Sequence, residues 1–343
     1  MYKFQQKLKK LKQTLKSWNR HTFGSIFDSQ KQLAVQMSEI QSRIREQGFT
    51  DKLKDQEHKV NQQMADRKRQ EEILWKQKSH VQWLKEGERN TKFFHRATIQ
   101  RRHSNKITHL ITEDGETLHS HDDLETHLVN YFQDLLTEPI PDRSAAITRI
   151  TRCIPTLVTQ EQNDALLRPF TIEEVYQALQ DTPKSKDPGP EGFTSDFFHY
   201  CWPMIRTEVW EILEDSRTTG EVLRAFNATF LALIPKEGQA NKPKQYRPIA
   251  LCNVIYKLLT KVIARRLKPI LLNIISPEKT GYVEGRQILD SIILAHEVIH
   301  SLQKTKTPGM LLKLYISKAF DKLSWDYMKA MLIAFGFDQN WVN

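Results

Sequence analysis

From Asp51 to Arg102 the chain contains no proline and one glycine, Gly87. A run of that length, dominated by Lys, Gln and Glu, favours long solvated helix over any strand-based arrangement. Upstream, Leu8, Leu11 and Leu15 recur at spacings of 3 and 4, which predicts one apolar helix face. Asn19–Gly24 interrupts that pattern, and Gly48 is the next break. Residues 1–103 therefore read as a first region of two or three helices, packed as an antiparallel hairpin or a loose coil. A solvated scaffold with no chemistry of its own satisfies the same pattern.

Charge separates this region from the rest. Residues 1–110 hold 25 Lys and Arg against 11 Asp and Glu, whereas the remainder holds 26 against 30. Three readings of a basic block stay open: nucleic-acid phosphates, an acidic membrane surface, or simple solubility of long helices. Hydrophobic residues make up 39% of the 343 residues, in keeping with part of the chain being extended helix.

A second region, 104–165, changes character. Ile107–Ile111 alternates, Glu113-Asp-Gly-Glu116 supplies a turn, and Thr117-Leu118 follows, which predicts a short hairpin. A helix is expected from Asp122 to Leu136, then a linker marked by Pro139, Pro141 and Pro155.

The third region, 166–343, has a mixed layout. Thr171-Ile-Glu-Glu174 is a capping box that opens a helix through Val175, Ala178 and Leu179. Two prolines and two glycines in Lys186–Phe193 enforce a rigid loop, either bringing amides close to a partner or making a tight connection. Phe230–Ile234 reads as a strand closed by Pro235. Ile255, Leu258, Leu259, Val262, Ile263 and Leu267 form a helical stripe, with Lys257, Lys261, Arg265 and Arg266 off it and Pro269 as a kink or end. A helix over Ile288–Leu302, a strand over Met310–Ile316, a turn at Ser317–Asp321 and a helix over Ser324–Phe335 stopped by Gly336 complete the pattern. The fold class is α+β and helix-rich.

Cys153, Cys201 and Cys252 are far apart and form no C-x-x-C pair, which argues against zinc or a disulfide framework and fits a reducing, intracellular compartment, nucleus or cytoplasm. The start, Met-Tyr-Lys-Phe-Gln-Gln, is no signal peptide, and no apolar run has the length of a membrane span.

Five segments in register carry a resemblance. They are Lys186-Asp-Pro-Gly-Pro-Glu-Gly-Phe193, Leu233-Ile-Pro-Lys236, Tyr246-Arg-Pro-Ile-Ala-Leu-Cys-Asn253, Gly281-Tyr-Val-Glu-Gly-Arg286 and Leu312-Lys-Leu-Tyr-Ile-Ser-Lys-Ala-Phe-Asp321. Together they resemble the fingers and first palm motif of LINE-type, non-LTR retrotransposon reverse transcriptases, with a plant-like flavour. Trp75–Ser79 and Trp83–His95 resemble the stretch upstream of such a polymerase. The resemblance implies long N-terminal helices, then right-hand polymerase fingers, then the start of the palm. It implies an RNA template, a DNA primer and deoxynucleoside triphosphates as partners, Mg2+ as cofactor, and no membrane.

By the same resemblance, Lys236 and Arg247 face the triphosphate from loop positions, and Phe320 closes on the sugar. Gly281, Gly285 and Arg286 lie near template or primer. A neutral reading accompanies each: surface cations, a core aromatic, a helix-entry turn. Asp187, Glu191 and Ser291 depart mildly from the family's small residue, Asp and Asn.

Tyr315 is the main departure, because the family keeps its first metal-binding aspartate there. Magnesium prefers hard, anionic oxygens. A phenol titrates near about 10, so it is neutral at pH 7 and a poor ligand. Asp321 sits beyond the turn and is no replacement. The chain also stops at Asn343, before the paired aspartates of the later palm motif. The expectation is a truncated reverse transcriptase fragment without catalysis. The alternative is a non-enzymatic, basic RNA- or DNA-binding protein, and a fragment with no function is a third.

Overall fold

In a computed structural model, residues 1–79, 91–137, 142–184, 186–314 and 318–343 are described. The helices in chain order begin with α1 (Tyr2–Trp18), α2 (Ile26–Gln47), α3 (Asp51–Ser79) and α4 (Thr91–Asn105). Strands β1 (Leu110–Ile111) and β2 (Thr117–Leu118) precede α5 (His121–Leu136), α6 (Ser144–Thr151), α7 (Gln160–Leu167), α8 (Ile172–Gln180), α9 (Ser195–Thr219) and α10 (Arg224–Asn227). Strands β3 (Thr229–Pro235) and β4 (Tyr246–Cys252) precede α11 (Val254–Ile274), α12 (Ile288–Thr305), α13 (Trp325–Phe335) and α14 (Gln339–Val342). Helix dominates, and the strands among the described residues form two two-stranded ladders. No helix of the described residues is long and apolar enough to cross a membrane.

The chain forms two compact units, each assembled from separated segments. The first comprises residues 1–111, 183–202 and 223–254. Its long helices make an antiparallel hairpin of α2 and α3, reversed at Gly48, whose φ of 79° suits glycine. Met37, Ile40 and Val60 are buried in its seam, flanked by Leu33, Ile44 and Met64. Gln30 donates to Glu71 across it at 2.9 Å. In α1 the buried residues are Phe4 and Leu8, whereas Leu11 and Leu15 are exposed. The expected Leu8–Leu11–Leu15 face is thus corrected: one turn earlier in the helix makes the contact, and the later leucines face water. At Asn19–Phe23 the backbone loosens into a π-helical turn that ends on Gly24.

The second unit comprises residues 112–182, 203–222 and 255–343. Its core gathers Val158, Leu166, Ile270 and Phe337, with Leu267, Ile274, Leu332 and Trp341 packed against them. Asn163 fixes the end of α13, donating to the Gly336 carbonyl at 2.8 Å and accepting from the Asp338 amide at 2.9 Å. Gly336 has φ 97° at the helix stop, where L side chains are strained.

Both sides of the capping box at α8 are made. Thr171 Oγ1 accepts from the Glu174 amide, and the Glu174 carboxylate accepts from the Thr171 amide at 2.9 Å. Thr171→Ala is expected to cost about 1 kcal/mol of stability. Urea unfolding reads this, and an unchanged midpoint would remove the cap from the account of α8.

Two elements differ from expectation. Of the two readings of Pro269, kink or end, the end is excluded: α11 runs on to Ile274, and the ring costs one main-chain bond while buried Ile270 and partly buried Leu267 pack on either side of it. The 25-residue α9 was missed, Pro203 having masked its pattern of Phe198, Trp202, Val209, Ile212 and Leu213. Of the strand expected over Met310–Ile316, the described part, Met310–Leu314, forms none, and Met310, Leu311, Leu312 and Leu314 are exposed. Apolar composition alone does not make a strand; a ladder partner must supply the hydrogen bonds, and none of the described strands does so here.

Candidate functional site

The β3–β4 hairpin is the best-formed part of the candidate site. Its antiparallel register pairs Thr229 with Cys252 and runs to Pro235 with Tyr246, placing Ile234 opposite Arg247. Beyond the last pair the Lys236 amide still donates to the Gln245 carbonyl at 2.9 Å. Two exposed cations, Arg247 on β4 and Lys236 directly after β3, thereby lie at one end of the hairpin.

The connecting loop is ordered by its own polar groups. Gln245 Oε1 accepts from the amides of Asn241 and Lys242 at 2.9 Å, and Tyr246 donates its hydroxyl proton to the Ala240 carbonyl at 2.8 Å. Lys236 Nζ donates to the Lys244 carbonyl at 2.7 Å, leaving an ammonium two further protons for a ligand. Arg247 lies on β4 itself, which corrects its expected loop position: the strand begins one residue earlier, at Tyr246. Lys236 follows directly on β3.

The other end of the hairpin is fastened by Asn253, which is fully buried. Its Nδ2 donates to the carbonyls of Ala225, Phe226 and Ala228 at 2.9–3.2 Å, and its Oδ1 accepts from the Glu191 amide at 2.9 Å. One side chain thus joins the segment before β3, the residue after β4 and the Lys186–Phe193 loop. Gly189 makes this approach feasible, since a Cβ there would lie 2.5 Å from Asn253 Oδ1 and 2.6 Å from the Asn253 nitrogen.

Glu191 has an unusual environment. Both carboxylate oxygens are buried with no hydrogen-bond partner among the described residues, as is His199 Nε2. Burial pushes the Glu191 carboxyl up to about 7, and the Lys12 ammonium offsets only part of that.

In the second unit the predicted template-side residues form a turn after α11. Gly285 has φ 80°. Arg286 donates to the carbonyls of Ile275, Ser276 and Lys279 at 2.6–3.0 Å, so its guanidinium ties the turn to the end of α11. Gly281 is exposed with open space around it. Phe320 is 96% exposed and belongs to no described core. Tyr315, with Ile316 and Ser317, lies outside the described residues, as does the Trp83–Asn90 part of the upstream motif.

Among the described residues no three His, Cys, Asp or Glu side chains gather as a ligand set. Position 315 offers a neutral phenol rather than a carboxylate.

Sequence reasoning missed two residues that organise the structure. Asn253 closed a quoted motif but carried no assigned role. Arg266 was placed off the apolar stripe, yet its side chain is 6% exposed and paired with Glu174 at 2.9 Å. Arg266 lies three and four residues after the stripe positions Ile263 and Val262, but its pairing with Glu174 on α8 has no local sequence signal.

Comparison with known proteins adds a family. Residues 234–343 match the reverse transcriptase (RNA-dependent DNA polymerase) family, which is about a third of the chain. The chain is 29% identical over 265 residues, 77% of its length, to the transposon TX1 uncharacterized 149 kDa protein of Xenopus laevis, covering 20% of that protein. It is 26% identical over 177 residues, 51% of its length, to the retrovirus-related Pol polyprotein from type-1 retrotransposable element R2 of Popillia japonica, covering 24% of it. A third relative is the probable RNA-directed DNA polymerase from transposon BS of Drosophila melanogaster, 25% identical over 200 residues, 55% of this chain and 19% of that protein. The chain spans about a fifth to a quarter of the length of these relatives.

Proposed function

We propose, from the premise that residues 234–343 are reverse transcriptase sequence, that this chain is a LINE-type reverse transcriptase segment that grips nucleotide and nucleic acid but does not catalyse. In this reading β3–β4 belongs to the fingers, and the palm begins only with the segment from Met310 onward. The chain's partners are an RNA template, a DNA primer and deoxynucleoside triphosphates. The observation that carries the reading is the hairpin within and beside the matched segment, with Lys236 and Arg247 both exposed at one end of it.

The physical argument is charge geometry. A triphosphate needs fixed positive charge, which Arg supplies as a two-pronged donor and Lys as a point charge. The ordered loop from Glu237 to Gln245 and the Asn253 fastening hold the hairpin, so little freedom is lost when a ligand arrives. Gly281, Gly285 and Arg286 stand beside template or primer, and Phe320 beside the sugar. Magnesium supplies charge neutralisation and nucleophile activation in such polymerases, and the donor set here does not fit it, since Tyr315 stands where the family keeps an aspartate.

One assay tests both halves. The full chain is mixed with a primer–template, deoxynucleoside triphosphate and Mg2+. The expected result is nucleotide retention that Arg247→Ala weakens roughly tenfold, with no primer extension. Mg-dependent extension would overturn the loss of catalysis. Retention indifferent to Arg247→Ala would overturn the role of the hairpin.

A further inference from the structure

We infer that the Gly189–Phe193 loop is a proton-operated latch between α1 and the foot of the β3–β4 hairpin, with Glu191 as its sensor and Lys12 as its bolt. Three contacts build it, all within the first unit. Lys12 reaches from α1 to donate to the Pro190 carbonyl at 3.2 Å. Its alkyl-ammonium end also lies against Gly192, where an added Cβ would stand 2.8 Å from Nζ. On its other side the loop donates the Glu191 amide to Asn253, the residue that fastens the hairpin.

The loop's backbone is thus held on both sides, while the Glu191 carboxylate accepts no hydrogen bond from any described residue. Both oxygens of Glu191 are buried without a hydrogen-bond donor, although Lys12 is near enough to act on the charge. An ionised carboxylate left without donors in such a place is costly, whereas the neutral acid is tolerated. The closed loop therefore favours the protonated form.

From α1 the charge acting on Glu191 is Lys12, and from the hairpin side Asn253 Oδ1 accepts from the Glu191 backbone amide. Asp196 and His199 on α9 do not contribute to the displacement of the carboxyl, which burial and Lys12 account for.

The sign follows from linkage. A carboxyl raised from 4.5 to about 7 in the closed loop makes closure strongest below 4.5, and that advantage is lost as pH rises to about 7. At full ionisation the closed-to-open ratio falls by on the order of a hundredfold. The latch loosens near neutral pH and releases the Asn253 contact at the foot of the hairpin. This inference does not depend on the polymerase reading.

Amide hydrogen exchange on the full chain, with times corrected for intrinsic rates, tests it between pH 5.5 and 8. Protection in 186–193 should fall at least tenfold over that range. Glu191→Gln should keep protection constant across it. Lys12→Met should lower protection throughout and steepen the fall, because the countercharge is gone. A fall that persists unchanged in Glu191→Gln, or a Lys12→Met slope equal to that of the parent, overturns the latch. Carboxyl carbon NMR of the unmutated chain covers the case of a variant that fails to fold: one glutamate should titrate near 7, and titration of every glutamate below 5.5 overturns the proposal.

Discussion

Replacing Arg266 by methionine is expected to destabilise the second unit by about 3–5 kcal/mol, the range for removing one partner of a buried ion pair. The guanidinium donates to both oxygens of Glu174, at 2.9 and 3.0 Å. It also donates to the carbonyls of Leu166, Arg168 and Pro169, and lies 4.6 Å from the centre of the Phe170 ring. Methionine preserves length and apolar contact but leaves those acceptors without their donor. Urea unfolding followed by circular dichroism measures the loss; a change below 1 kcal/mol would show that water replaces the guanidinium easily.

The same pair sets an acid dependence. Burial alone would raise the Glu174 carboxyl, but Arg266 and Thr171 outweigh it and pull it from 4.5 down to about 2. A depressed carboxyl contributes stability above its unfolded value, and that contribution is lost as pH falls from 4.5 through about 2. Arg266→Met should shrink this loss, because the group that lowers the carboxyl is absent. The unmutated chain should lose more stability than the variant between pH 5 and pH 2.

Local signals carried much of the fold. The Thr171–Glu174 capping box, the β3 strand ended by Pro235, and the Gly336 stop after α13 are each decided by a few neighbouring residues, and each formed as expected. Long-range partnerships were less legible. Periodicity placed Arg266 on a polar face, because a helix wheel cannot know that α8 presents Glu174 to it. It set Leu11 and Leu15 on one apolar face with Leu8, although both are exposed, and it read a strand over Met310–Ile316, of which the described Met310–Leu314 forms none. The candidate site divides in the same way. Lys236 and Arg247 are adjacent through hairpin register, which is nearly local. Asn253 and Glu191 owe their importance to a contact 62 residues apart in sequence.

That contact yields the second large effect. Gly189→Ala is expected to cost about 3 kcal/mol, the upper part of the range for overpacking a filled site. The added methyl would sit 2.6 Å from the Asn253 nitrogen and from the Cys252 carbonyl carbon. These are backbone atoms at the end of β4, so they cannot swing aside as a side-chain tip would. Relief requires the loop or the hairpin foot to move, and either motion breaks the hydrogen bond that the Glu191 amide donates to Asn253 Oδ1. Gly238→Ala is the internal control, since nothing lies within 4 Å of a Cβ there; it should leave stability within about 0.5 kcal/mol. Urea midpoints of the two variants decide the matter. If Gly189→Ala is as mild as Gly238→Ala, the close approach at Asn253 is not what holds the hairpin foot.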